Sequence, residues 1–167
     1  MSSIEIHPML VADLNEAYLV GEAAFHEHNR LLYTGPLSTA SREKRVASLA
    51  VTFDDEPHVS SFKAVDFSSG RIVAMSRWAV HEADQVVERS IAEIVAARLG
   101  LDAPEMRKDV AWPLYTMIQE GKRDVLGIGR AEHGEGVTLR KRVELEVLCV
   151  HPEYQTGNCA TSAAVGD

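Results

Sequence analysis

The run Val143-Glu144-Leu145-Glu146-Val147-Leu148-Cys149-Val150 has the composition of a β-strand, and His151-Pro152 stops it abruptly. The next residues are polar and mostly small: Tyr154-Gln155-Thr156-Gly157-Asn158-Cys159-Ala160, leading into a small-residue segment of helical character. A strand, a tight loop and a helix start, in that order, bring backbone N–H groups together in a geometry suited to phosphate. This end of the chain therefore asks for a sheet that the strand can join and for a ligand that carries phosphate.

The rest of the sequence supplies the sheet. Ile4-Glu5-Ile6 alternates apolar and acidic residues, the period of a half-buried strand, and His7-Pro8 closes it. Ser61–Asp66 and Arg71–His81 flank Phe67-Ser68-Ser69-Gly70 and predict an antiparallel hairpin with a Gly-containing turn, in which Trp78 is expected in the core. Asp13 is placed to cap a helix over Leu14–His28, at whose end His26 and His28 fall on different faces and share no metal. A second helix, begun by Ser38 or Ser41, is expected over Arg42–Phe53, with Val46, Leu49, Ala50 and Phe53 on one side, and a third over Glu82–Leu99, ending at Gly100. Beyond it, Trp112-Pro113 interrupts the pattern before helical composition resumes over Leu114–Val125. Gly127-Ile128-Gly129-Arg130 follows no convincing strand and opens no helix, so Gly127–Gly136 reads as a flexible loop and not as a dinucleotide fingerprint. Strand character returns over Arg140–Val150.

Composition narrows the class. The 167 residues are enough for one domain with its own core, and an apolar fraction of 46% belongs to a globular protein. A formal charge of −8 argues against nucleic acid as a partner, because neutralising phosphates needs a basic face. Apolar runs fall short of a membrane span and the N-terminus lacks a signal layout, so the cytoplasm is the expected compartment. Cys149 and Cys159, the only cysteines, read as free thiols in a reducing compartment. Walker, HExxH and paired-cysteine patterns are missing, so no metal is expected.

These residues resemble the GNAT superfamily of acetyl-CoA-dependent N-acetyltransferases, especially its fungal-type members. Ile4-Glu5-Ile6-His7-Pro8 with Asp13-Leu14 looks like the family's first strand and helix start. Phe62–Val80 resembles its second and third strands, with the turn glycine at Gly70. Leu148-Cys149-Val150-His151-Pro152-Glu153-Tyr154-Gln155 is close to its cofactor signature at the end of the fourth strand, and is the most specific piece of a match that spans nearly the whole chain.

The resemblance implies an acetyl group passing from acetyl-CoA, as co-substrate, to a primary amine of a small molecule or peptide. It gives backbone groups around Leu148 and Val150 to the pantetheine arm. The pyrophosphate pattern Gln/Arg-x-x-Gly-x-Gly/Ala falls on Gln155, Asn158 and Ala160, with Thr156 and Gly157 inside the loop. Asn158 stands where the pattern has its first Gly, and Gly157 lies one residue early. A side chain there restricts the approach of backbone to phosphate, although Asn tolerates left-handed dihedrals better than most residues. Glu144 matches a position where some members carry the general base, while alternating Glu144 and Glu146 also suit the wet face of a sheet. The basic trio Arg140-Lys141-Arg142 suits either a CoA phosphate or a solvated strand edge. The family continues past this motif through further strands, one of which forms the other wall of the cleft, and the sequence stops at Asp167 before them. The expected fold is therefore α/β (α+β): a single N-acetyltransferase-like domain over 1–167, with a mixed, mainly antiparallel sheet flanked by helices, lacking the C-terminal strands. An exposed fourth strand predicts self-association, and a non-catalytic remnant that binds CoA weakly or serves as an interaction module is the alternative to an enzyme.

Overall fold

The computed structural model describes residues 3–53, 56–100, 104–130 and 136–155. In chain order the elements are β1 (Ile4–Pro8), a 3-10 turn at Val11–Asp13, α1 (Leu14–Ala24), α2 (His26–Leu32), α3 (Thr39–Phe53), β2 (Val59–Asp66), β3 (Ile72–His81), β4 (Gln85–Val87), α4 (Ile91–Gly100), α5 (Lys108–Leu126), β5 (Gly127–Arg130), β6 (Val137–Leu139), β7 (Arg142–Val150) and α6 (Pro152–Gln155). The fold is α+β, with mainly antiparallel strands and helices. The described residues form two compact units, one from 3–26, 46–79 and 144–155, the other from 27–45 and 80–143. Among the described residues no helix is long and apolar enough to cross a membrane.

The first unit holds a sheet of order β1-β2-β3-β7. The β2–β3 hairpin forms where the alternation predicts it, and Gly70 takes φ 69°, the left-handed region that the turn requires. Its register pairs Ala64 with Ala74 but Val65 with Ile72, so β3 carries one extra residue, Val73. The Glu16 carboxylate on α1 accepts the Ile72 N–H at 2.9 Å beside this irregularity. On α1, Leu14, Ala17 and Val20 recur at helical spacing and are buried. Leu14 and Ala17 join Met9 in a core lined by Val46, Ala50, Phe53 and Met75, and Val20 joins Ile72 and Cys149 in a second cluster. Lys63 reaches Asp13 at 2.6 Å; burial pushes the Asp13 carboxyl up, but the Lys63 contact and the Leu10 N–H outweigh it and leave the group below its ordinary value.

In the second unit a sheet of order β4-β6-β5 is antiparallel throughout. The start of α3 is organised by Glu105, whose carboxylate accepts the Ser38 N–H at 3.2 Å and the Ser41 hydroxyl at 2.9 Å, while its carbonyl accepts the Thr34 N–H at 2.9 Å. The arrangement supplies the N-terminus of α3 with an acceptor from a distant part of the chain.

Several expectations are corrected. Asp13 does not cap a helix over Leu14–His28; its carboxylate accepts the Leu10 N–H at 2.8 Å, so helical turns begin earlier, at Val11. The helix ends at Ala24 and a new one opens at His26, which puts His26 and His28 in a first turn and not a last one. The second helix starts at Thr39, ahead of Arg42, and of the two serines expected to begin it Ser38 stands directly before it, its hydroxyl accepting the Ser41 N–H at 3.3 Å. Glu82–Leu99 is no continuous helix: Gln85–Val87 pairs with Val137–Leu139, and α4 starts only after Ser90. There Ser90 and Glu93 cap each other's backbone, Ser90 N–H to the Glu93 carboxylate at 2.8 Å and Glu93 N–H to the Ser90 hydroxyl at 3.2 Å. Pro113 lies inside α5 and does not end it. Gly127–Arg130 is a strand, not part of a flexible loop, and Arg140–Val150 narrows to Arg142–Val150. Trp78 is exposed, its indole N–H donating to the Ser76 hydroxyl at 3.1 Å.

Candidate functional site

The end of β7, the short helix α6 and the turn of the β2–β3 hairpin come together in the first unit. Beyond Val150 the His151 N–H donates to the carbonyl of Val73, the extra residue of β3, at 2.8 Å. In an extended chain the N–H and C=O of one residue point to one side and those of the next residue to the other. With His151 turned toward β3, Val150 and Leu148 turn their backbone groups the opposite way. No strand pairs there among the described residues, since β7 stands last in the sheet. The backbone groups assigned from sequence to a pantetheine arm, at Leu148 and Val150, thus face an open edge. One of them is taken: the Val150 carbonyl accepts from the Gln155 side-chain amide at 2.7 Å.

Burial along β7 alternates from Arg142 to Leu145 and then slips by one residue, with Leu145 and Glu146 both exposed. Glu144, half-buried, therefore keeps step with Val147 and with buried Cys149 rather than with Glu146. Arg77 binds two carboxylates. Its guanidinium Nε donates to Glu146 at 2.6 Å and another nitrogen donates to Glu56. Burial pushes the Cys149 thiol up, which removes it as a nucleophile at neutral pH.

Pro152–Gln155 makes a single turn, opened by the Tyr154 N–H donating to the His151 carbonyl at 2.8 Å. The Tyr154 hydroxyl donates to the Asp66 carboxylate at 2.8 Å. Asp66, only 4% exposed, also accepts the Ser68 N–H at 3.0 Å, the Ser68 hydroxyl at 2.8 Å and the Ser69 hydroxyl at 3.1 Å. The hydrogen bond to Asp66, with burial behind it, raises the Tyr154 phenol above its ordinary value, so it stays a donor. Arg71, on the same hairpin turn, lies 3.9 Å from Glu153.

Of the residues named from sequence, Leu148, Val150 and Gln155 are brought together, and Glu144 lies earlier on the same strand. Thr156, Gly157, Asn158 and Ala160 lie outside the described residues, as does Cys159. Of the basic trio, Arg142 reaches the Gln85 side chain at 3.2 Å and the Lys141 N–H donates to Asp84 at 2.7 Å. Sequence reasoning missed the Arg77 contacts with Glu56 and Glu146, and it missed the Tyr154–Asp66 contact. Only the Asp-x-Ser-Ser-Gly turn, where a carboxylate can fold onto its own hydroxyls, signalled Asp66. Among the described residues no cluster of His, Cys, Asp and Glu is arranged for a metal.

No family model and no curated protein matches the chain. Among solved structures it is similar to a protein from Corynebacterium glutamicum described as histone acetyltransferase HPA2 and related acetyltransferase, at 16% identity and TM-score 0.44, covering 93% of this chain and 64% of that one. It is also similar to a GNAT family acetyltransferase from Brucella melitensis in complex with acetyl-CoA, at 12% identity and TM-score 0.31, covering 91% of this chain and 98% of that one. The chain thus spans 64% of the length of the first of these structures. At such scores the likenesses bear on neither chemistry nor substrate.

Proposed function

We propose that the chain is a GNAT-like, acyl-CoA-dependent N-acyltransferase that moves an acetyl group from acetyl-CoA to a primary amine. One observation carries this reading. The four segments that resemble the family's first to fourth strands are β1, β2, β3 and β7, and they stand side by side in that order although about sixty residues separate the last two. The segment between them makes a sheet of its own.

The edge of β7 fits a pantetheine arm in part. The arm carries amides, and the outward N–H groups of Leu148 and Val150 and the Leu148 carbonyl are complementary to them. The Val150 carbonyl, engaged by Gln155, is not available in this arrangement. When bound, acetyl-CoA supplies the electrophile, a thioester carbonyl. An ammonium ion has no lone pair, so the chain must accept a proton before an amine can attack, and Glu144 is the carboxylate assigned to that task. Outward N–H groups of β7 serve as donors toward developing negative charge, a contribution of about 3 kcal/mol per well-placed donor. Glu144→Gln keeps size and loses basicity. It is expected to lower kcat by about two orders of magnitude with little change in the KM for acetyl-CoA. The reading is tested by incubating the folded chain with acetyl-CoA and a panel of polyamines, arylamines and peptides while following free thiol. Thiol release above the blank is expected, and none from a folded protein that also shows no thermal shift with acetyl-CoA overturns the proposal.

The second reading, a non-catalytic CoA binder or interaction module, is favoured by Asn158 in the place of a glycine and by the open edge of β7, where Leu145 and Leu148 are exposed. Thermal stabilisation by acetyl-CoA without thiol release is its signature. On either reading that edge is a surface for self-association.

A further inference from the structure

We infer that the Tyr154 hydroxyl, through its hydrogen bond to Asp66, is a positioning group for the coenzyme-binding edge of β7. The inference rests on the function proposed above and assigns a role to a contact that neither catalysis nor the core requires. Four-residue α6 cannot hold itself, since one helical turn costs more in ordering than its few hydrogen bonds return. Its place is set by its last two side chains, which reach different partners. The Gln155 amide donates to the Val150 carbonyl at 2.7 Å, tying α6 to the strand edge. Tyr154 reaches 88 residues back along the chain to Asp66 at 2.8 Å, tying α6 to the hairpin turn. The anchor is stiff because Asp66 is buried and fixed by backbone donors of its own turn: the Ser68 N–H donates to its carboxylate at 3.0 Å and the Gly70 N–H to its carbonyl at 2.8 Å.

The two ties act in series. With Tyr154 fixed, Gln155 can meet only one backbone atom, and the strand end from Leu148 to His151 is held in a single conformation. An edge that is already ordered does not pay that ordering cost when a ligand's amides pair with it. Without the hydroxyl, α6 keeps only the longer Arg71–Glu153 contact with the hairpin turn, at 3.9 Å, and the Gln155 contact loosens with it. The cost then appears in affinity for the coenzyme and not in the chemical step.

The test is calorimetric titration of the intact chain with acetyl-CoA, alongside thermal unfolding, for wild type, Tyr154→Phe and Ser68→Ala. Tyr154→Phe keeps the ring and its edge-on contact with His151, 6.4 Å between centroids, and removes only the donor. Ser68→Ala removes a different donor from the same Asp66 carboxylate, on the hairpin itself. We expect Kd to rise about five- to tenfold in Tyr154→Phe, the loss of one hydrogen bond, and to stay within about twofold of wild type in Ser68→Ala. Equal Kd in wild type and Tyr154→Phe overturns the positioning role while leaving the proposed function standing. Equal losses in both variants also overturn it, since the integrity of the turn would then be what matters. Wild type that does not bind acetyl-CoA overturns the function itself, and the inference falls with it. Should Tyr154→Phe prove too unstable to titrate, amide hydrogen exchange of wild type decides: acetyl-CoA must slow exchange at Leu148 and Val150 without changing it at Tyr154, and slowing at Tyr154 itself overturns an anchor formed in advance.

Discussion

Glu105 shows how far one carboxylate can be moved by its donors. Its own backbone N–H and the Ser38 and Ser41 groups hold the carboxyl at about 2, against an ordinary value of 4.5. A folded-state value below the unfolded one means that the unfolded chain binds more protons between the two. The contribution to stability is therefore complete above about pH 4.5 and is lost as pH falls toward 2. Glu105→Gln is expected to lower stability at pH 7 and to converge on wild type as pH drops through that window; urea unfolding at a series of pH values measures it. Arg77 is a second residue whose role is local: Arg77→Ala strands Glu56 and Glu146 and is expected to cost about 1 kcal/mol, the pair being partly screened by water. A double-mutant cycle with Glu146→Gln gives the coupling. None of this is visible in the sequence, where Glu105, Arg77 and Asp66 carry no mark of the partners that the fold brings to them from distant positions.

Among the elements, those with a strong repeating pattern are legible in the sequence. The β2–β3 hairpin follows its alternation and its Gly70, and the body of α3 follows Val46, Ala50 and Phe53. Short elements are not, because three residues cannot display a period. Gln85–Val87 disappears into the helical composition of Glu82–Leu99, although Ser90-x-x-Glu93 is a capping signal that marks the true start. Gly127–Arg130 has the look of a loop because glycine weakens strands. The reason for that glycine is steric: a Cβ at Gly127 would stand 2.4 Å from the Arg123 carbonyl oxygen, where α5 turns directly into β5. Since the obstructing atom is backbone, Gly127→Ala is expected to destabilise by about 1–3 kcal/mol and to lower Tm by several degrees, measured by thermal unfolding.

At the scale of the molecule, the proposed coenzyme edge and the surface for self-association are the same stretch of β7. The two uses exclude each other, so acetyl-CoA is expected to shift the chain toward its monomer mass of 18.3 kDa in size exclusion with light scattering. Leu148→Lys places a charge on that edge and is expected to abolish association at every concentration. The order of the sheet is readable because each segment carries its own signature. The joining of α6 to the hairpin is not, because a tyrosine hydroxyl announces no partner. That joining has a kinetic consequence. A hairpin closes within microseconds and from neighbouring residues, whereas the Tyr154 contact must wait for a loop of 88 residues to close. Asp66 is then dressed by its own turn long before Tyr154 arrives, and substitutions in the turn should slow folding while Tyr154→Phe should speed only unfolding.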